Sequence, residues 1–134
     1  MLRKDEFLTE AQTFNYVNIN GDEATVNVNK GQFDKSISDS TKAIEINPKF
    51  AEAHSNRGNA YWGMGQYDKA ISDYNKALEI NPNFAMAYNN RGFVYFFKKE
   101  YEKAWDDVHK VQNLGYTVHP AFLRDLRQAS GRQK

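Results

Sequence analysis

Three histidines are the residues most able to do chemistry in this chain, because imidazole binds metals and transfers protons near neutral pH. His54, His109 and His119 are far apart, and none has a second ligand type at metal-binding spacing. There is no cysteine, which excludes disulfides, thiolate zinc sites and cysteine nucleophiles. No phosphate-binding glycine loop and no nucleophile–base pair is present. We therefore expect no catalytic residue, no metal and no cofactor, and a protein that is not an enzyme.

Much of the sequence in which these residues lie repeats with a period of 34 residues. Residues 31–50 and 65–84 are identical at 14 of 20 positions, and residues 51–84 and 85–118 at 11 of 34. Residues 17–30 share no position with residues 51–64. A fixed period of this length is typical of repeat proteins in which each unit is one supersecondary structure. The similarity therefore begins abruptly at Gly31.

Within each unit the apolar spacing is helical, as in Tyr67, Ala70, Ile71 and Tyr74. Asn-Pro pairs at 47–48 and 81–82 separate the units, because proline disfavours helix in the residue before it. The pattern predicts an all-α fold with helices at about 34–46, 52–64, 67–80, 86–98 and 101–113. A further amphipathic helix at about 120–129 is expected to cap the last apolar face.

These units resemble the tetratricopeptide repeat (TPR) family, a helix–turn–helix solenoid. Gly58 and Gly92 match the family's glycine at a close helix approach. The aromatic, alanine and proline positions of the family are matched by Tyr61, Tyr95, Ala70, Ala104, Pro48 and Pro82. Two departures are His54, where the family prefers an aromatic, and the absence of a proline at the end of the third unit.

The resemblance implies a protein–protein interaction module or scaffold, whose first helices line a concave groove for an extended or helical peptide of a partner. Asparagine amides on such a face can pair with a peptide backbone. The predicted groove residues are Asn56, Asn59, Trp62, Asn89, Asn90, Phe93, Phe96, Phe97 and Arg124. The aromatic ones either reach the groove or are covered by the cap helix or the N-terminal segment.

Some relatives in this family bind chaperone C-termini with a carboxylate clamp of two asparagines, two lysines and an arginine. Asn59, Asn90 and Arg124 fall at matching offsets, but the lysine positions hold Ser55 and Pro120. We therefore expect no functional clamp. The groove is expected to take an uncharged or mildly apolar segment.

Two arginines are expected to be structural. Arg57 and Arg91 stand where the family more often has leucine, and Asp39, Asp73 and Asp107 recur with the same period. We predict that each arginine pairs with one of these aspartates and joins two helices.

The domain boundaries follow from the repeat. Residues 1–30 are an atypical segment, 31–118 hold the units 31–50 (a half unit), 51–84 and 85–118, and 119–134 form the cap and a frayed tail. Helical spacing favours a helix at about 4–15, whereas the alternation around Asn20-Gly21 favours a hairpin. The apolar face of the half unit needs a cover, which is either the N-terminal segment folded back or a second copy of the chain. The second alternative makes the protein a homodimer, or a structural unit that self-assembles.

The composition restricts the partners. Lys plus Arg is 18 and Asp plus Glu is 17, so the near-neutral charge argues against nucleic acid as the main partner. No apolar run is long enough to span a membrane. The charged N-terminus is unlike a secretory signal, and together with the missing cysteine it leads us to expect a cytoplasmic protein.

Overall fold

The computed structural model describes residues 30–132, and this part of the chain folds into six α-helices without a strand. They are α1 (Lys30–Ile46), α2 (Ala51–Gly63), α3 (Tyr67–Ile80), α4 (Ala85–Phe97), α5 (Tyr101–Asn113) and α6 (Pro120–Ser130). The predicted all-α class is confirmed. Helix α1 begins about four residues earlier than expected, because Gly31 is accommodated inside the helix, where glycine costs only about 1 kcal/mol relative to alanine.

The helices of the repeat units are joined by two kinds of turn, and each kind occurs twice. At the Asn-Pro turns, Asn47 and Asn81 each accept a bond through Oδ1 from the backbone N–H two residues later, over 3.1 Å. The turns between α2 and α3 and between α4 and α5 each contain one left-handed residue. That residue is Gly65 in the first turn (φ 77°) and Lys99 in the second (φ 65°).

Each helix packs against the next one along the chain, and α2 also contacts α4. The buried core runs from Phe33 in α1 to Leu126 in α6. A Cβ atom on Gly58 would lie 2.9 Å from Tyr74 Cε1, and one on Gly92 would lie 3.3 Å from Asp107 Cβ. The close approach is therefore tighter at Gly58, where α2 crosses α3.

Helix α6 closes the far end of the stack. It begins at Pro120, and the missing N–H of proline costs nothing at the first position of a helix. His119 Nδ1 accepts a hydrogen bond from the Ala121 N–H over 3.0 Å. Phe122 and Leu126 are fully buried. The Trp105 indole N–H donates to Ser130 Oγ over 3.0 Å, so the last residue of α6 is bound to α5.

Helix α1 differs from α3 in burial at equivalent positions of the repeat. Ala70, Asp73 and Ala77 of α3 are buried, whereas Asp39 of α1 is exposed and Ser36 and Ala43 are half-buried. Ile46, at the end of α1, is 86% exposed. Within residues 30–132, the face of α1 that corresponds to the buried face of α3 is therefore the less buried of the two. The predictions made for residues 1–29 lie outside the described residues.

Candidate functional site

Two first helices of consecutive units, α2 and α4, are joined by a buried network of amides. Asn59 and Asn90 are 2% and 0% exposed, and Asn90 Nδ2 donates to Asn59 Oδ1 over 2.7 Å. The Tyr74 hydroxyl donates to the same oxygen over 2.6 Å. Asn59 Oδ1 is thus occupied by two donors. No described residue donates to Asn90 Oδ1, which is buried.

Aromatic rings continue the contact between these helices. The Trp62 ring lies 5.7 Å from Phe93 and 6.3 Å from Phe97, measured between centroids. Phe122 of α6 packs edge-on against Phe93 at 4.6 Å and against Phe96 at 5.5 Å. The aromatic residues therefore connect α2, α4 and the cap in one cluster.

Helical spacing places the polar and aromatic residues of α2 and α4 on the same side of their helices. We call this side the α2/α4 face and define it by Asn56, Asn59, Trp62, Asn89, Asn90, Phe93 and Phe97.

The predicted groove residues divide into two groups by exposure. Asn56 and Arg124 are exposed, and Asn89 and Phe97 are half-buried. The other five, which are buried, are Asn59, Trp62, Asn90, Phe93 and Phe96. The expectation that Asn59 and Asn90 line an open groove therefore needs correction, and for Phe93 and Phe96 the alternative of cover by the cap helix applies. Asn59 and Asn90 bond to each other and to Tyr74, and Phe93 and Phe96 pack against Phe122.

The two lysine positions of the carboxylate clamp are occupied by uncharged residues, Ser55 and Pro120. Ser55 is buried, and Pro120 is the first residue of α6. The side chain of Arg124 is 65% exposed, and its Nη2 lies 3.5 Å from Asp125 Oδ1. Arg124 thus has an acidic neighbour, and no lysine stands at either clamp position.

Arg57 and Arg91 each hold three helices together. Arg57 donates to both Asp73 oxygens over 2.8 Å and to Thr41 Oγ1 over 3.3 Å. Arg91 donates to Asp107 over 2.9 and 2.6 Å and to Asn75 Oδ1 over 2.8 Å. Asp39, the counterpart of these two aspartates in the first unit, is exposed. The position one repeat period before Arg57 holds Glu23, not an arginine.

The electrostatics of these pairs follow from burial and hydrogen bonding. The bonds to Asp73 raise the pKa of Arg57. Burial is the largest single effect on the pKa of Arg91 and lowers it, but the hydrogen bonds to Asp107 and the attraction of its charge together leave that pKa raised. Burial raises the pKa of Asp107, an effect that the Arg91 guanidinium opposes. The bidentate geometry favours the ionised forms of both groups.

His54 replaces the tyrosine of the following unit and makes the same contact. Its Nε2 lies 3.0 Å from the Pro48 carbonyl oxygen, and the Tyr88 hydroxyl lies 2.9 Å from the Pro82 carbonyl oxygen. Because a carbonyl only accepts, Nε2 carries the proton. His54 is therefore a helix-to-turn contact.

Sequence reasoning missed Tyr74, Thr41 and Asn75 as partners in these networks. The last two carried a signal, since Thr41 precedes Arg57 by the same interval at which Asn75 precedes Arg91. Nothing in the repeat pattern indicated Tyr74, because the equivalent residues in the first and third units are Ser40 and Val108. Residues 30–132 contain no cluster of acidic or histidine side chains placed to hold a metal ion. None of the helices in this range is long and apolar enough to cross a bilayer.

Comparisons with known proteins agree with this architecture. Models described as tetratricopeptide repeat match residues 51–84 and 73–106, and one described as TPR repeat matches 26–65. Among curated proteins, none matches the sequence.

Three solved structures illustrate the structural similarity. The first TPR domain of human RPAP3 is 28% identical with a TM-score of 0.72, over 81% of this chain and 88% of that one. The first TPR of Spaghetti (RPAP3), bound to the HSP90 peptide SRMEEVD, is 25% identical with a TM-score of 0.69, over 91% and 96%. The TPR2B domain of yeast Sti1 in its pHsp70 complex is 27% identical with a TM-score of 0.62, over 76% and 82%.

The family models together span residues 26–106, and the solved TPR domains share the helical architecture of this chain. The chain therefore belongs to the tetratricopeptide repeat family.

Proposed function

We propose that the chain is a protein-interaction module that binds a peptide segment of another protein on the α2/α4 face. The observation that carries the proposal is that α2 and α4 present, among the residues of this face, two accessible amides (Asn56 and Asn89) and a half-buried aromatic ring (Phe97). Amides bond both the N–H and the C=O of a peptide backbone, and an aromatic ring supplies apolar contact area.

The similar structures support this proposal because two of them were solved with a bound partner. The Spaghetti domain was solved with an HSP90 peptide and the Sti1 domain in a pHsp70 complex. Both are domains of comparable length to this chain. They give no support to the alternative function, in which the repeat ends and the groove serve self-assembly.

The experiment is a peptide-array screen with the full chain, followed by fluorescence anisotropy of a labelled peptide hit. The Asn56→Ala/Asn89→Ala variant should weaken binding about tenfold or more, because two backbone-pairing amides are lost. Its urea midpoint should be unchanged, since neither side chain is in the buried network. Asn113→Ala, at the exposed end of α5, is the matched control and should bind normally.

Two results would contradict the proposal. One is the absence of any array hit that binds in solution. The other is full affinity in the double variant, which would place the binding surface elsewhere. Sedimentation across a dilution series, run without peptide, tests self-assembly separately.

A further inference from the structure

The described stack exposes apolar side chains where α1 ends and α2 begins. Ile46 is 86% exposed and Phe50 is 41% exposed. One repeat period later, Ile80 and Phe84 are half-buried, and Phe84 packs against the core. The surface continues along α1, and we call it the α1 end. It is defined by Ser36, Ala43, Ile44, Ile46 and Phe50.

The comparison within the helices shows the same difference. Ser36 and Ala43 of α1 are half-buried, whereas their counterparts Ala70 and Ala77 of α3 are fully buried. Residues seven apart lie on one side of a helix, so the α1 end is a strip along α1 and not a single exposed side chain. Contiguous exposed apolar surface of this kind marks an interaction site.

The start of α1 restricts which segment can cover this strip. In the two later units the first helix reaches the second through a turn, at residues 64–66 and 98–100. The equivalent residues of the first unit are 30–32, and α1 is already helical there. A covering segment of this chain is therefore not joined to α1 by the turn that the other units use. Its connection to α1 lies before Lys30.

The sequence before Lys30 contains one segment of suitable pattern and length. Phe7, Ala11 and Phe14 recur at the spacing of one helix face, within residues 4–17. A helix over these residues would be about 21 Å long, against about 26 Å for the 17 residues of α1. Residues 18–29 span up to about 40 Å when extended, so they can connect the segment to α1 in either direction.

The comparison with the Spaghetti domain points to the same part of the chain. The similarity covers 91% of this chain, which is more than residues 30–132 can supply. The part of the chain that is similar to that domain therefore includes residues before Lys30.

We infer that residues 4–17 form a helix that docks in cis on the α1 end, with Phe7, Ala11 and Phe14 against α1. The covalent connection holds this segment at an effective concentration on the order of millimolar, which favours it over a second copy or a foreign helix. The docked segment closes the stack at this end, as α6 closes it at the other. The inference does not depend on the proposed peptide binding.

The first test uses the absence of cysteine from the chain, because two introduced cysteines can pair only with each other. The full-length variants Ala11→Cys/Ser36→Cys and Ala11→Cys/Ala43→Cys place the pair at the two ends of the strip. A disulfide needs Cβ atoms within about 4.5 Å. We expect at least one variant to oxidise within a single chain about tenfold faster than Ala11→Cys/Ala129→Cys, whose second cysteine lies on the exposed side of α6. Mass spectrometry without reductant measures it.

The second test measures stability in the full chain. Phe7→Ser/Phe14→Ser removes two rings from the docking face and should lower the urea midpoint by roughly 1 M. Thr9→Ser/Gln12→Ser, on the opposite side of the segment, is the matched control and should leave the midpoint unchanged. Both tryptophans, Trp62 and Trp105, lie within residues 30–132, so their fluorescence reports the stack and not the segment.

Three outcomes would overturn the inference. The first is oxidation of both strip variants no faster than that of the Ala129 control. The second is a disulfide that joins two chains, which would make a second copy the occupant of the α1 end. The third is an unchanged urea midpoint in Phe7→Ser/Phe14→Ser. None of these results bears on the peptide-array screen, so the two proposals fail separately.

Discussion

At the scale of single residues, the pair of Arg91 and Asp107 gives the sharpest prediction. The Asp107 side chain is 3% exposed, and both its oxygens accept from Arg91. Arg91→Ala leaves this carboxylate buried without its cation, and we expect a loss of about 3 kcal/mol in the free energy of unfolding. Urea denaturation at pH 7 measures it. Adding Asp107→Asn to the variant should recover part of the loss, because the orphaned charge is removed.

For the same variant, Arg91→Ala, we also predict how the free energy of unfolding changes with pH. Burial already raises the pKa of Asp107 above its unfolded value, and without Arg91 the pKa should rise further. A folded state with the higher pKa binds the proton more tightly, so stability falls as the pH rises through that interval. The deficit of Arg91→Ala relative to the parent should therefore shrink between pH 7 and pH 4. A deficit that is constant over this range would mean that Asp107 stays ionised without its partner.

His54 gives a second prediction at this scale. Tyr88 makes the equivalent bond to the Pro82 carbonyl, so His54→Tyr should keep the contact and leave the urea midpoint unchanged or higher. His54→Phe is the matched control, since it fills the site without a donor and should cost about 1 kcal/mol. Equal stability of the two variants would show that the bond contributes nothing.

The residue scale also shows what the sequence could and could not predict. The arginine–aspartate pairs follow from the period, because equal spacing places equal contacts in the two complete units. The burial of Asn59 and Asn90 does not follow from it. It depends on Tyr74 of α3 and on the contact between α2 and α4, and neither pairing is visible in the spacing of one helix.

At the scale of elements, the turn between α4 and α5 stores strain that its counterpart avoids. Lys99 has φ 65°, where Gly65 stands in the preceding unit. A side chain in this conformation costs roughly 1–2 kcal/mol, and glycine carries no such penalty. Lys99→Gly should therefore raise the free energy of unfolding by about 1 kcal/mol, and Gly65→Lys should lower it by a similar amount. Thermal or urea unfolding checks both, and a destabilised Lys99→Gly would contradict the account.

The C-terminal ends of α1 and α3 were the easiest helix boundaries to predict, and the start of α1 was the hardest. Asn47-Pro48 and Asn81-Pro82 end α1 and α3 within a residue of the predicted positions, because proline blocks the helix locally. Helix α1 begins at Lys30, before Gly31, whereas the equivalent helix α3 begins at Tyr67, after the turn that contains Gly65. A glycine ends a helix only where the chain must turn, and nothing local to Gly31 decides that.

At the scale of the whole molecule, stability should depend on the cap. Phe122 is fully buried against Phe93 and Phe96. Phe122→Ala opens a cavity at the end of the stack and should cost about 3–5 kcal/mol. Leu123→Ala, one residue on and only half-buried, is the control and should cost clearly less. If the two variants unfold at the same urea concentration, α6 is not the cap that we describe.

The contacts of the two arginines restrict how a gene for this chain can change in length. Arg57 reaches 16 residues back to Thr41 and 16 forward to Asp73, and Arg91 spans Asn75 and Asp107 in the same way. A duplication of one whole repeat period that starts between Gly31 and Asn75 restores every one of these separations, with the same kinds of partner, in the longer product. An insertion of any other length inside a helix between the paired residues shifts at least one guanidinium away from its carboxylate. Unequal recombination can therefore lengthen or shorten such a chain by whole units, while smaller changes within the helices are removed by selection on folding.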